Sequence, residues 1–395
     1  MAMESLHEDG TVELDVKREI GDVARSYSAF QTDDVVVAKV TPCFENGKAA
    51  LAPDMDYGVA FGTTEITVLR ASAGMFPKFL YYVVTEDRFR QMGIAAMTGA
   101  GGLRRIPDRF VRDYAFRLPP LDEQRQIAEY LDRETGKIDE LITKQEQLVA
   151  TLTERRLAVI SRAVTQGMRR DAVMRPSGID WLGDVPTAWA VKRIKDSVRF
   201  AKNGVWGEEP DGGADDIWCV RVADFDRPTL SISQLNKTIR NVRTSERNGR
   251  VLKRGDLILE KSGGGEKSPV GFVAIYDYDE PAVCSNFVAR VQLEPDQDAR
   301  YWLYLHAAAY GTRLSQRSIK QTSGIQNLDQ SSYFNEKVAF PPLDEQVSIV
   351  QYLDEMLTQI DSVVSKTQES VALLHERRAA LISAAVTGKI DVRGL

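Results

Sequence analysis

Histidine and cysteine are both scarce: 395 residues hold three of each. Cys43, Cys219 and Cys284 have no paired spacing, which excludes a disulfide framework and a zinc ribbon. They are expected to be small buried hydrophobes of a protein kept in a reducing cytoplasm. His7, His306 and His375 lie far apart without acidic or cysteine partners at ligand spacing, so no metal is expected. No apolar run approaches the roughly 20 residues needed to cross a bilayer, and no membrane role is expected. The opening MAMESLHEDG is acidic and polar, unlike a signal peptide. Phosphate-loop and dinucleotide fingerprints are missing too. The run Gly263–Ser268 lacks the Gly-Lys pair in the spacing a phosphate loop needs.

What is present is a repeat. Leu118–Thr165 returns as Phe340–Thr387, a shift of 222 residues, with 25 of 48 positions identical. PPLDEQ stands at 119–124 and 341–346, and ERR at 154–156 and 376–378. Upstream the match is fainter: Asp34 falls on Asp256, Lys39 on Lys261, Gly62-Thr63-Thr64 on Cys284-Ser285-Asn286, and Gly102 on Gly324. A chain duplicated in this way presents two related surfaces and suits an asymmetric partner with two related sites.

Each repeated segment is expected to be one long helix entered after Pro-Pro, which stops upstream helix. Leu131, Ile138, Leu152 and Val159 form a seven-residue series with Gln145 in the polar slot. Leu353, Ile360, Leu374 and Leu381 repeat it, with Thr367 in that slot. So narrow a seam predicts helix paired with helix, as rods of roughly 60–70 Å at about 1.5 Å per residue. Antiparallel pairing of the two rods follows from a pseudo-twofold repeat. The alternative is packing of each rod on its own domain or on another protein.

Before each rod the pattern is mixed α/β. Val35–Val40, Glu65–Leu69, Leu257–Glu260 and Val270–Tyr276 are candidate strands, with a turn at Glu45-Asn46-Gly47. Phe79–Val84 and Tyr301–Ala309 are candidate helices. The division predicted is 1–118, a first domain shortened at its start; 119–166, the first rod; 167–180, a linker; 181–340, the second domain; 341–388, the second rod; and 389–395, a tail.

The net charge of −6 argues against a protein that coats nucleic acid indiscriminately, but distribution matters more than the sum. Arg240 to Arg254 holds six basic residues against Glu246, and Arg300 to Gln326 holds four with no acid. Arg88 to Arg112 holds six arginines against Asp108. Arginine pairs bidentately with guanine, glutamine and asparagine with adenine, and lysine mostly holds phosphate. Candidate DNA contacts are therefore Lys39, Arg104 and Arg105 in the first half. In the second half they are Arg240, Arg243, Lys261, Arg313, Arg317, Lys320, Gln321, Gln326 and Asn327. Arg104 and Arg105 occupy the places of Gln326 and Asn327, a difference that would give the halves different targets. The bland reading is that these amides cap local backbone. Catalytic residues are not expected, since Asp256, Glu260 and the other scattered carboxylates form no ordered nuclease set.

PPLDEQ, the long rod ending in ERR, WLGDVPTAW at 181–189, Gly255-Asp256-Leu257-Ile258 and the segment 322–328 together resemble the specificity subunit of type I restriction-modification systems. The resemblance implies an α/β fold of two target-recognition domains joined by two long helices in an antiparallel coiled coil that acts as a ruler. It implies two half-sites of an asymmetric DNA sequence, one per domain, and a subunit without chemistry of its own. The implied partners are double-stranded DNA, two methylation subunits and, in the full complex, restriction subunits. No cofactor is bound directly: S-adenosylmethionine belongs to the methylation partner, ATP and Mg to the restriction partner. A partner that flips the adenine would let a recognition protein choose the reacting base. Helix pairing or partner docking is assigned to Leu131, Ile138, Leu152, Arg155 and Arg156, and to Leu353, Ile360, Leu374, Arg377 and Arg378. A coiled-coil scaffold without DNA specificity, or a solitary metal-dependent nuclease, are the alternatives.

Overall fold

The computed structural model describes every residue except Asp15, Arg170, Glu266, Lys267, Ser323, Gly394 and Leu395. Glu266 and Lys267 of the glycine-rich run, and Ser323 of the segment before the second Pro-Pro, thus lie outside the described residues. The chain forms two compact units, Met1–Leu148 with Lys366–Leu395, and Val149–Ser365.

In the first unit the central strand Val35–Ala38 is buried along its whole length. It lies antiparallel between Ala49–Leu51 and Ile66–Leu69. A second ribbon pairs Ser28–Gln31 with Val59–Gly62. The helix Pro77–Thr85 opens with proline at its first turn, where no amide hydrogen is needed. It buries Phe79, Tyr82 and Val83 against Ile127, Ala128 and Leu131 of the first long helix. An exposed hairpin, Thr98–Ala100 with Leu103–Arg105, projects before that helix begins.

The second unit is larger. Four antiparallel strands run in the order Val198–Asn203, Val288–Leu293, Leu257–Glu260, Val273–Ile275. A neighbouring sheet centres on Asp216–Val220, antiparallel to Ile239–Asn241 and parallel to Ala282–Cys284. The helix Ala299–Gly311 is buried on Tyr301, Trp302 and Leu305. A second hairpin, Ile319–Thr322 with Ile325–Leu328, follows it. The strand expected over Val270–Tyr276 is shorter, Val273–Ile275. Gly271 is the reason: it takes φ +106°, and a Cβ there would meet the Ser315 side chain at 2.6 Å.

Residues 167–180 carry structure of their own. Met174–Pro176 pairs with Asp184–Pro186, and the Arg175 guanidinium donates to the Trp189 carbonyl. Ala190–Arg193 then pairs with Lys337–Phe340, the strand that leads into the second Pro-Pro. The tryptophans of WLGDVPTAW serve this closure. Trp181 Nε1 donates to the Lys337 carbonyl, and Trp189 Nε1 to Glu345 Oε2 at 2.7 Å.

Two long helices, Leu121–Gln166 and Leu343–Val386, occupy the repeated segments. They pack on each other within each unit. Ile127, Ala128 and Leu131 meet Ile382, Ala385 and Val386 in the first; Ile160, Ala163 and Val164 share a core with Ile349, Leu353 and Leu357 in the second. Leu131, Ile138, Leu353, Ile360 and Thr367 are buried, while Leu152 and Leu374 are half-buried. Among the described residues no helix is long and apolar enough to cross a membrane.

Candidate nucleic-acid interface

The duplicated glutamine of PPLDEQ fastens each long helix to the domain before it. Gln124 is fully buried; its Nε2 donates to the carbonyls of Gly74 and Pro119, and its Oε1 accepts from the Phe76 amide at 2.7 Å. Gln346 donates to Pro341 O and Gln297 Oε1 and accepts from the Asp298 amide at 2.9 Å. Positions 76 and 298 differ by the repeat shift. So do the next pair: Tyr82 donates to Asp132 at 2.7 Å and Tyr304 to Asp354 at 2.6 Å. Lys78 and Arg300 add matching cations to those carboxylates. Burying a carboxamide requires filling its hydrogen bonds; the partners at 76/298 and 119/341 recur, while the third is the Gly74 carbonyl in one copy and the Gln297 side chain in the other.

A second duplicated frame is made of backbone. In the first unit, the Lys39 amide donates to Glu65 O at 2.9 Å, the Ile106 amide to Lys39 O at 2.9 Å, and the Thr41 amide to Arg104 O at 2.9 Å. In the second, the Lys261 amide donates to Phe287 O at 2.8 Å, Leu328 to Lys261 O at 2.8 Å, and Gly263 to Gln326 O at 3.1 Å. Val40 bridges Arg105 as Ser262 bridges Asn327. All four contacts obey the shift of 222. Each hairpin lies against the end of a core strand, and its tip exposes an aliphatic side chain, Leu103 or Ile325.

The side chains on this frame differ. In the first unit Arg105 holds Glu65 bidentately at 2.7 and 2.8 Å, and Arg104 reaches Glu45 at 2.6 Å. The Arg105 hydrogen bonds hold the Glu65 carboxyl below its ordinary range, so it is an anion at neutral pH. In the second unit Asn327 is exposed, and its Oδ1 accepts from the Ser262 hydroxyl at 2.7 Å. Phe287 stands exposed at the place of Glu65. Lys261 is turned to Asn203, and burial pulls its ammonium below the usual lysine range.

The remaining candidates are spread out. Gln321 is exposed on the second hairpin, opposite Gln326. Gln326 itself is buried, its Oε1 accepting from the Val270 amide at 3.3 Å. Lys320 is exposed but pairs with Asp329 at 2.7 Å. Arg313 and Arg317 are exposed, with no side-chain partner among the described residues. Arg240 is buried on the strand Ile239–Asn241, paired with Glu209 and stacked on Trp206 at 4.6 Å. Arg243, beside it, lies 3.6 Å from Glu208. On the long helices Arg156 meets Asp361 at 3.1 Å and Arg378 meets Asp139 at 2.8 Å. Arg155 and Arg377 point to solvent. Glu65, Phe287, Thr41 and Ser262 were not singled out from sequence, although extending the repeat shift three residues past Gly62 marks 65 and 287.

Among the described residues no group of three or more His, Cys, Asp or Glu side chains is placed to hold a metal. Asp256 and Glu260 are committed to Arg290 and Arg227. His306 is buried against Tyr333, and burial lowers its pKa to about 4. The Cys219 and Cys284 thiols are pushed up to about 12 by burial. What the frames offer is directional hydrogen bonding: an arginine–carboxylate fork in one unit, an exposed carboxamide and an exposed aromatic ring in the other.

A family described as the type I restriction modification DNA specificity domain matches residues 186–371. The specificity subunit of the type I restriction enzyme EcoAI of Escherichia coli is 34% identical over 152 residues, 36% of this chain and 26% of that one. The specificity subunit of EcoBI, also from Escherichia coli, is 23% identical over 310 residues, 76% of this chain and 63% of that one. The chain thus aligns with about a quarter of the first relative and somewhat under two thirds of the second. A solved chain from work on complex assembly and conformational transition of the type I R-M system superposes with a TM-score of 0.75 at 17% identity, covering 98% of this chain and 91% of that one. That likeness establishes the fold.

Proposed function

We propose a function from one premise: this chain belongs to the family of type I restriction-modification DNA specificity subunits. It reads a bipartite, asymmetric DNA site, one half with each domain, and positions adenine-methylation subunits over it. Restriction subunits join that complex. The chain performs no chemistry; S-adenosylmethionine is used by the methylation partner, ATP and Mg by the restriction partner. The domains are residues 1–118 and 181–340, and the helical segments 119–166 and 341–388 set the number of unread bases between half-sites.

The observation that carries this reading is the duplicated frame with unlike side chains. A protein that bound two identical sites would repeat the side chains along with the backbone. A scaffold with no sequence to read would not need exposed hydrogen-bonding groups on both hairpins. Arg156–Asp361 and Arg378–Asp139 are one contact made twice under the shift of 222. They support an antiparallel coiled coil with pseudo-twofold symmetry. In that arrangement Arg155 and Arg377 are equivalent outward positions for two like partners, and Arg156 and Arg378 bind the helices together.

Reconstitution tests the reading. The purified chain alone is expected to transfer no radiolabelled methyl group and to cut no DNA. Added to its methylation subunit, it is expected to restore methylation at one bipartite sequence. Methyl transfer by the purified chain alone, or methylation whose sequence does not depend on the chain, would refute it.

A further inference from the structure

The two frames set positions 65 and 105, and again 287 and 327, on the two sides of one core-strand end. The side chains of Glu65 and Arg105 meet, and the chemistry of the two pairs is complementary to two different base pairs. We propose, resting on the DNA-reading function above, that positions 65 and 287 are specificity-determining and read the pyrimidine of a base pair whose purine is read by 105 or 327. In the first unit the pair is G·C; in the second it is A·T.

Consider Glu65 first. A carboxylate on a DNA-binding surface is repelled by phosphates, and the base-edge groups that welcome it in the major groove are amino donors, of which cytosine N4 is one. Arg105 neutralises Glu65 and presents its guanidinium beside it, the geometry that matches guanine O6 and N7. Guanine O6 and cytosine N4 are neighbours on one base-pair edge, so a fork already joined to a carboxylate covers both. Both side chains stay substantially exposed, 45% for Arg105 and 30% for Glu65, so the fork is open to a base-pair edge.

Position 287 makes the opposite choice on the same backbone. Phe287 is 46% exposed, and its ring packs against no other aromatic ring among the described residues. Asn327, across the core-strand end from it, has its carbonyl fixed by the Ser262 hydroxyl, which leaves one lone pair and, among the described residues, both amide hydrogens free. That set matches adenine N6 and N7, and an exposed apolar ring across the strand end matches the methyl group of the paired thymine. Ser262 is then a positioning residue: it fixes which way the amide points.

The test uses the chain assembled with its methylation subunit. Genome-wide mapping of methylated adenines defines the wild-type half-sites, and the mapping is repeated with Glu65→Ala, Glu65→Gln and Phe287→Ala. Glu65→Ala is expected to weaken discrimination at one G·C pair of one half-site by tenfold or more, leaving the other half-site untouched. Glu65→Gln, which keeps a hydrogen-bond acceptor, loses less. Phe287→Ala is expected to relax one A·T pair of the other half-site. Replacing that thymine by uracil, which lacks the methyl, weakens binding of the wild type but not of Phe287→Ala. Retained discrimination at the other positions of the same half-site reports that the altered unit is folded. Wild-type discrimination in all three variants, or an effect of Glu65→Ala at an A·T pair, overturns the assignment while the DNA-reading function stands. A wild-type complex with no bipartite motif overturns both.

Discussion

The two units share a mount and a backbone frame, but they are closed and braced differently. In the second, Asp256 and Arg290 form an ion pair with both side chains buried, at 2.7 Å, and Arg290 also donates to the Gly249 carbonyl. In the first, Asp34 is as deeply buried, yet its partner Arg70 is largely in water. Both aspartates accept from a backbone amide at the same repeat position, Gln31 or Lys253. The carboxylate thus belongs to the duplicated plan, and the arginine was supplied independently. Duplication has kept the mount and the backbone frame and let the surrounding support diverge.

The largest expected effect sharpens that contrast. Arg290→Met leaves Asp256 charged, buried and without its counter-ion, and is expected to cost the second unit about 3–5 kcal/mol. Arg70→Met is expected to cost the first unit clearly less, because water replaces the exposed guanidinium beside Asp34. Denaturant midpoints of the two variants, with hydrogen exchange to locate the weakened unit, check the ranking. Equal losses would break the comparison.

Acid should separate the units next. His306 is buried in the second unit, and Val84 holds its repeat position in the first. The native pKa of His306 is lowered to about 4 from its ordinary 6.5. Above pH 6.5 neither state binds the proton. As the pH falls from 6.5 to 4, the unfolded chain takes a proton that the native state refuses, so stability is lost across that window. The shift corresponds to about 3 kcal/mol. All five tryptophans, at 181, 189, 206, 218 and 302, lie in the second unit. Tryptophan fluorescence therefore follows that unit alone, and His306→Gln is expected to flatten its pH dependence between 6.5 and 4. A His306→Gln variant as acid-sensitive as the wild type would assign the sensitivity to carboxylates.

Closure offers a third difference. Within the second unit Trp189 donates to Glu345 in a charge-assisted bond, whereas Glu123, at the same place on the first long helix, belongs to a unit without tryptophan. Trp189→Phe keeps the ring and removes the donor. A loss of about 2 kcal/mol is expected, confined to the second unit. Urea titration read by circular dichroism and hydrogen exchange distinguishes this from a loss spread over both.

How much of this could be read from the chain follows from the kind of signal each feature leaves. The long helices were legible because a heptad seam and Pro-Pro entry are local and repeated. The mixed α/β domains were legible from short β-branched runs such as Val35–Ala38. The buried status of Gln326 and Arg240 was not. Both are polar residues in basic, amide-rich stretches, and composition cannot tell an outward amide from one that has turned in to bond Val270. The strand Met174–Pro176 was hidden in charged, proline-bearing sequence because its partner, Asp184–Pro186, is equally short. Glu65 and Phe287 escaped because their meaning lies in what stands across the frame, 40 residues away in each copy. Only the repeat shift connects them, and there it links residues of opposite character.

The smallest effect concerns phosphate contacts, where the structure refines what sequence alone suggests. Lys261 and Lys320 are both engaged, with Asn203 and Asp329. Asp329 is held below the ordinary carboxylate range by Lys320, so the pair carries little net charge at neutral pH. Moving such a lysine to a phosphate uncovers its carboxylate, which offsets part of the gain. Arg313 and Arg317 carry no such cost. Arg313 sits at φ +60° just after the buried helix Ala299–Gly311, and Arg317 lies at the entry to the second hairpin. If the second domain grips the backbone there, Arg313→Ala and Arg317→Ala each lower the slope of log affinity against log salt by about 1. Lys320→Ala lowers it by less, and none of the three alters the methylated sequence, because phosphates carry no base identity. Binding titrations from low to physiological salt with the reconstituted complex give the slopes. A full unit lost with Lys320→Ala and none with the two arginines would place the backbone contact on the hairpin strand instead of the turn before it.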